Sequence, residues 1–320
     1  MPRQDPPHRQ VLHIGHSPDP DDAFMWWPLV GVRGEGPAFD TGRFRFETVA
    51  EDIDALNRRA IAEATGDRGD PGTDSRRLDV TAMSCGTWPF VQRDWKVTAC
   101  GASLGDGYGP KLVARREAIV RPEALVEPGR RVLVPGLRTS AAMALRLRTG
   151  GRSLDLVAVP FDEIPARTAA GEADAGLVIH ESQLTFESEG LALVEDLGAW
   201  WHGETGLPLP LGLNCIRADL DERHGPGTTA EVTGLLRASI DHALAHRETS
   251  LDYALGFARG MDPALADRFV EMYVNRWTLD FGVDGRSAVA SFLDRLADLD
   301  LVPRATPEFV AGPCGDGAVR

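Results

Sequence analysis

Short apolar runs, each followed by a polar or glycine-bearing turn and then by a helical repeat, recur along the first two-thirds of the chain. Residues 11–15, 44–49, 78–83, 131–134, 154–159 and 175–179 have the length and apolar character of buried strands. Between them, residues 22–32, 51–64 and the stretches opening at Ser140 and Asp162 place apolar side chains at helical spacing. Strands that alternate with helices predict parallel α/β sheets. From about Thr228 to Asp298 the rhythm becomes helical throughout, as in LLRASIDHALAH and SAVASFLDRLADL. The segment GDRGDPGTDSRR, residues 66–77, offers nothing apolar to bury and predicts a dispensable surface loop. The tail GPCGDGAVR is expected to be disordered.

With 320 residues, the chain can bury a sizeable core, and 26% charged residues suit a soluble globular protein. No apolar run reaches the roughly 20 residues that span a bilayer. The first ten residues lack an apolar secretory core, so a cytoplasmic location is expected. A net charge of −14 argues against nucleic-acid or anionic-membrane partners. An anionic ligand must therefore meet a local cluster of donors. Oligomeric state is not legible. Cys85, Cys100, Cys215 and Cys314 show no metal-binding spacing and read as free thiols. GxGxxG after the first strand and GxxxxGK[ST] are both missing, so no nucleotide loop supports a cofactor.

Four polar segments follow predicted strands, where ligands of α/β sheets collect. HSPDPDDAF (16–24) has two prolines that stiffen a loop rich in short polar side chains. Asp21 or Asp22 is expected to cap the following helix, and the role of Asp19 is open. Its three acids do not match a Ca²⁺ loop, which also needs Gly and a distal Glu, and no metal is expected. AMSCGTW (82–88) combines small residues with hydroxyls. PGLRTSAAM (135–143) ends a strand in Pro-Gly and opens a helix at Thr139 and Ser140. GLVIHES (176–182) ends an apolar strand in His180, whose near-neutral pKa suits proton abstraction. A histidine satisfied by loop hydrogen bonds would give the same pattern. On the residues alone the cleft fits binding or catalysis.

These segments resemble the 1,4-dihydroxy-6-naphthoate synthase family of futalosine-route menaquinone biosynthesis. The similar stretches include SPDPDDAFM, EDIDALNRRA, GDGYGPKLVARR, VPGLRTSAA, EADAGLVIHES, MYVNRWTLDFG and, above all, LGAWWHGETGLPLPLG. The resemblance implies a two-lobed fold like the type II periplasmic binding proteins, with no cofactor. It implies a lyase that converts cyclic dehypoxanthinylfutalosine to 1,4-dihydroxy-6-naphthoate, with His180 as base. Substrate contacts are implied at Ser17, at Ala82, Met83 and Ser84, and at Thr139, Ser140 and Ala141. Ser140 stands where the family's second Thr falls. Many members read SPCPND where this chain has SPDPDD, so Asp19 and Asp21 replace Cys and Asn.

The chain is then expected to build one lobe from residues 1–110 and 211–320 and the other from 111–210, crossing near Gly109-Pro110 and near Pro208 to Leu211. A small anionic substrate would sit between the lobes. A non-catalytic solute-binding protein of the same fold, or chorismate dehydratase of the same pathway, are the alternative readings.

Overall fold

Parallel pairing occurs where the apolar strand readings fell, but each sheet also contains reversed strands. In the computed structural model, which describes residues 9–32, 34–66, 76–118, 120–258 and 262–312, β1 (Gln10–His16) lies between β2 (Phe44–Ala50) and β3 (Val80–Ser84), parallel to both. The first sheet also holds β4 (Trp95–Thr98), β5 (Ser103–Gly105), β11 (Leu209–Arg217) and β12 (Phe309–Val310). Here β11 runs antiparallel to β3, β4 and β5. The second sheet orders its strands β10-β6-β9-β7-β8, from β6 (Lys111–Arg115), β7 (Arg131–Val134), β8 (Asp155–Ala158), β9 (Ala175–Val178) and β10 (Leu191–Asp196). Its β6 is antiparallel to β9 and β10, whereas β7 is parallel to β8 and β9. The expectation of parallel sheets therefore holds for β1–β3, for β7–β9 and for the short pairing of β12 with β4, and not for the rest. Strands that enter a sheet from the crossings meet their neighbours head to tail. Residues 67–75 of the predicted loop, and 313–320 with Cys314, lie outside the described residues.

Helix α1 (Pro20–Val30) starts two residues before the predicted Asp22, because Pro20 has the fixed φ suited to a first helical turn. Nearly all of it is buried, with Phe24, Met25, Trp26 and Leu29 packed against Val232, Leu236 and Ile240. Those three lie on α8 (Thr228–Ala245), one of the helices that return after α7 (Leu220–His224). α2 (Ile53–Thr65) follows β2, and the Asp52 carboxylate caps it by accepting from the Asp54 amide. α3 (Ser140–Arg148), α4 (Ile164–Ala169), α5 (Ser182–Thr185) and α6 (Leu197–Thr205) belong to the middle of the chain. α9 (Arg247–Leu255), α10 (Pro263–Tyr273), α11 (Arg276–Leu279) and α12 (Gly282–Asp298) complete it. No described helix is long and apolar enough to cross a membrane.

The chain leaves the first sheet after β5, enters the second at β6 and returns through α6 into β11. At this double crossing the Leu197 amide donates to the Pro110 carbonyl (3.0 Å). A Cβ on Gly198 would collide with the Tyr108 carbonyl, so glycine is what lets the two crossing segments touch. One apolar core runs from Met83 and Leu213 of the first sheet, through Phe292 of α12 and Trp201 of α6, to Leu112, Val132 and Leu177 of the second. Each fully buried side chain of this size contributes about 1.5–3 kcal/mol.

Candidate active site

A cleft lies between the sheets and is lined by Ser17, Asp19, Asp21 and Asp22 from the β1–α1 segment, Ala82 and Ser84 from β3, Thr139, Ser140 and Ala141 from the start of α3, and His180 past the end of β9. These are the loci the sequence singled out, with one exception. Successive strand residues face opposite ways, so Ala82 and Ser84 turn to the cleft while the Met83 side chain is fully buried in the core. A contact with a ligand at Met83 would then have to come from its backbone.

Ser84 is held from two sides by Asn57 of α2. The Asn57 Nδ2 donates to Ser84 Oγ and the Ser84 amide donates to Asn57 Oδ1, each at 2.9 Å. The Ser84 hydroxyl proton stays available to a ligand. At α3, Thr139 caps the helix: its Oγ1 accepts from the Ala142 amide (3.3 Å) and donates to the Gly136 carbonyl (2.8 Å). Ser140 Oγ donates across the cleft to the Leu211 carbonyl at 2.5 Å and accepts from the Gly86 amide at 3.3 Å. Both hydroxyls are thus committed to the protein. What α3 offers a ligand is the amides of Ser140 and Ala141, which at the first two helical positions have no intrahelical acceptor and sit at the positive end of the helix dipole.

The opposite wall is acidic. Asp19, Asp21 and Asp22 are 4%, 7% and 7% exposed. Asp19 is the residue before α1, but its carboxylate makes no capping bond and instead meets His180 Nδ1 at 2.9 Å. Asp22 Oδ2 accepts from the Ser17 amide (2.8 Å). Asp21, expected to cap, lies inside the first turn, and its buried Oδ1 has no partner among the described residues. Burial would raise the Asp19 pKa, yet the charge and hydrogen bond of His180 hold it well below the usual carboxylate range. Burial, with the charges of Asp19 and Asp22, pushes the Asp21 carboxyl well up. Burial and the Asp19 charge push Asp22 up to about 8. For His180, burial lowers the pKa, but the Asp19 carboxylate outweighs it and the net shift is upward.

The three carboxyl groups lie within 4.8 Å of one another, close enough to suit a divalent cation. Asp19 is already committed to His180 and Asp22 to the Ser17 amide, so we read the trio as acids sharing protons. Among the described residues, no Lys or Arg lines the cleft.

His180 has φ 51°, the left-handed region, at a cost of about 1–2 kcal/mol for an L-residue. This turn at the strand end sends the ring into the cleft, edge-on to Phe161 at 4.5 Å. The buried Gln183 of α5 secures the turn. Its amide meets the most partners when the oxygen accepts from the His180 amide (3.2 Å) and the Tyr273 hydroxyl (3.0 Å) while the nitrogen donates to the Gly109 carbonyl (2.5 Å). Gln183 thus ties β9, the crossing and α10 together. Sequence reasoning passed over Asn57, Gln183 and Tyr273. Asn57 and Tyr273 stand in quoted stretches, EDIDALNRRA and MYVNRWTLDFG, and Gln183 follows IHES by one residue.

A family model described as menaquinone biosynthesis matches residues 12–298. A 1,4-dihydroxy-6-naphthoate synthase of Thermus thermophilus is 37% identical over 94% of this chain and all of its own length. The enzyme of the same name from Streptomyces coelicolor is 37% identical over 95% of this chain and 99% of its own. Among solved structures, a protein of Archaeoglobus fulgidus superposes with a TM-score of 0.76 at 34% identity, covering 91% of this chain and 98% of its own. The alkanesulfonate-binding protein of Xanthomonas axonopodis pv. citri shares the fold at a TM-score of 0.60 and 14% identity, with 92% and 94% covered. The cleft between two mixed sheets is that of the periplasmic-binding-protein-like fold. With the family model covering residues 12–298 and these relatives matching nearly end to end, the chain belongs to the menaquinone biosynthesis family that includes the 1,4-dihydroxy-6-naphthoate synthases.

Proposed function

We propose that the protein is a carbon–carbon lyase that converts cyclic dehypoxanthinylfutalosine to 1,4-dihydroxy-6-naphthoate, with His180 as general base. The observation that carries this reading is the His180 ring: half-buried at a strand end beside the cleft, it has an Nε2 with no partner among the described residues. A binding protein has no need of a bare imidazole nitrogen held by a strained backbone. The substrate carboxylate is received by the amides of Ser140 and Ala141 and the hydroxyl of Ser84, and its hydroxyl-bearing part turns to the acidic wall. Facing like charges would cost on the order of 1 kcal/mol at 4 Å even in water, so the carboxylate takes the α3 pole. Nε2 removes the acidic proton, and the electron pair left behind drives cleavage of the carbon–carbon bond to the sugar-derived part. The positive end of α3 stabilises the anionic charge that develops.

Incubating the purified protein with cyclic dehypoxanthinylfutalosine and detecting the naphthoate by mass tests the activity. His180→Ala is expected to abolish turnover and leave substrate binding by calorimetry largely intact. A general base supplies about 10²–10⁴-fold, so activity within about tenfold of wild type would falsify the assignment.

A further inference from the structure

The reading of His180 as base does not by itself say what fixes its tautomer or holds the charge it acquires. The ring is 14% exposed and its Nδ1 stands 2.9 Å from Asp19 Oδ2, a carboxylate only 5% exposed. An ionised carboxylate can only accept, so the neutral ring keeps its proton on Nδ1 and its lone pair on Nε2, the nitrogen with no partner among the described residues. The two residues come from different sheets: Asp19 follows β1 and His180 follows β9. Their contact thus spans the cleft and orients the base relative to the wall across from it.

Everything else that faces the ring is acidic, apolar or neutral. Asp21 and Asp22 come from α1, Asp52 from the start of α2 and Glu181 from the same turn. Phe161 packs on its edge, His16 lies beyond Asp19, and Tyr273 reaches the site through Gln183. No Lys or Arg among the lining residues competes for Asp19.

We propose that Asp19 is the positioning residue of this site: it orients His180, keeps the proton on Nδ1 and stabilises the imidazolium formed when Nε2 takes the substrate proton. The inference rests on His180 being the base. In the step, Nε2 gains one proton and the ring one positive charge. Asp19 stays a carboxylate, and the proton later leaves from Nε2 to the departing fragment or to water. Asp21, whose carboxyl burial and its neighbouring acids push up, makes no such contact with the ring: its buried Oδ1 has no partner among the described residues.

The test is the pH–rate profile of kcat for the full chain and for the variants Asp19→Asn, Asp21→Asn and His180→Ala. Asp19→Asn is expected to lower kcat by about 10²-fold, the lower bound of a general base's contribution, with KM within a few-fold. Its acidic limb should move to lower pH, because burial of His180 is then unopposed. Asp21→Asn should move that limb less. An unmoved limb in Asp19→Asn, or equal movement in both variants, overturns the proposal. So does activity that is lost on chelation and restored by Mg²⁺, which would make the acids metal ligands. A fully active His180→Ala sinks the base reading itself. An inactive His180→Ala beside an unshifted Asp19→Asn sinks only the positioning role. Should Asp19→Asn fail to fold, ¹⁵N NMR of the wild-type imidazole decides: above its pKa the proton is expected on Nδ1, and a proton on Nε2 overturns the claim.

Discussion

Burial and the neighbouring Asp19 charge push the Asp22 carboxyl up to about 8, so the folded protein holds a proton there that the unfolded chain releases near pH 4. A raised folded-state pKa stabilises fully below the unfolded value and loses that stabilisation as pH rises through about 8. Asp21, also raised, acts in the same direction, whereas depressed Asp19 stabilises above the ordinary carboxylate range and loses its contribution only in acid. Melting temperature is therefore expected to decline between about pH 5 and pH 9, and Asp22→Asn, which can still accept from the Ser17 amide, to flatten the decline. A slope that persists in the variant would place the titrating group elsewhere. At this scale the sequence was partly legible. His180 stood out because an apolar strand stops at it. The expectation that Asp21 caps α1 was wrong, since Pro20 begins the helix and no carboxylate of the trio serves as its cap. The Asp19–His180 contact joins residues far apart in sequence, and no local spacing announces such a pair.

Elements with a clear helical or apolar period were readable, and strands with a brief or interrupted pattern were not. β4, β5, β6, β10 and β11 escaped because their patterns are brief or broken by proline and glycine. The start of LPLGLNCIR was read as an extended hinge strand, and the whole stretch forms the antiparallel strand between β3 and β4. Pro210 is tolerated because the pairing with β5 shifts register between Pro210 and Gly212, where an amide is not needed. The short α5 matters beyond its length through Gln183. Gln183→Leu removes the acceptor of the His180 amide and the donor to the Gly109 carbonyl, and two stranded buried groups cost about 1–3 kcal/mol each. Urea denaturation should show a loss of that order, and steady-state kinetics a higher KM. Unchanged stability would mean that the amide does not bridge these elements.

For the whole molecule, the net charge of −14 and a cleft with no lining Lys or Arg set how an anion arrives. Long-range repulsion is strongest when the Debye length is about 30 Å, near 0.01 M salt, and shrinks to about 10 Å at 0.1 M. For the anionic substrate proposed above, kcat/KM is expected to rise across that interval, the reverse of an enzyme that steers with basic residues. A fall on adding salt would reveal cationic steering. The resemblance made the two-lobed architecture legible. Composition gave only its acidic character, because where charges gather on a surface depends on tertiary contacts.

The way the chain crosses twice has a consequence for biosynthesis. The second sheet comes from one continuous stretch, β6 to β10, whose first and last strands pair and whose ends are joined by Lys111 and Asp196 at 2.5 Å. The first sheet cannot fill the gap between β3 and β4 until β11 has been made. At roughly 5–20 residues per second, β3 leaves the ribosome on the order of ten seconds before its central partner. The middle stretch, β6 to β10, is thus complete before the first sheet can close, while β3 waits with an open edge. A nascent chain in that interval is where this protein is most exposed to wrong pairing, and where chaperones have the most to guard.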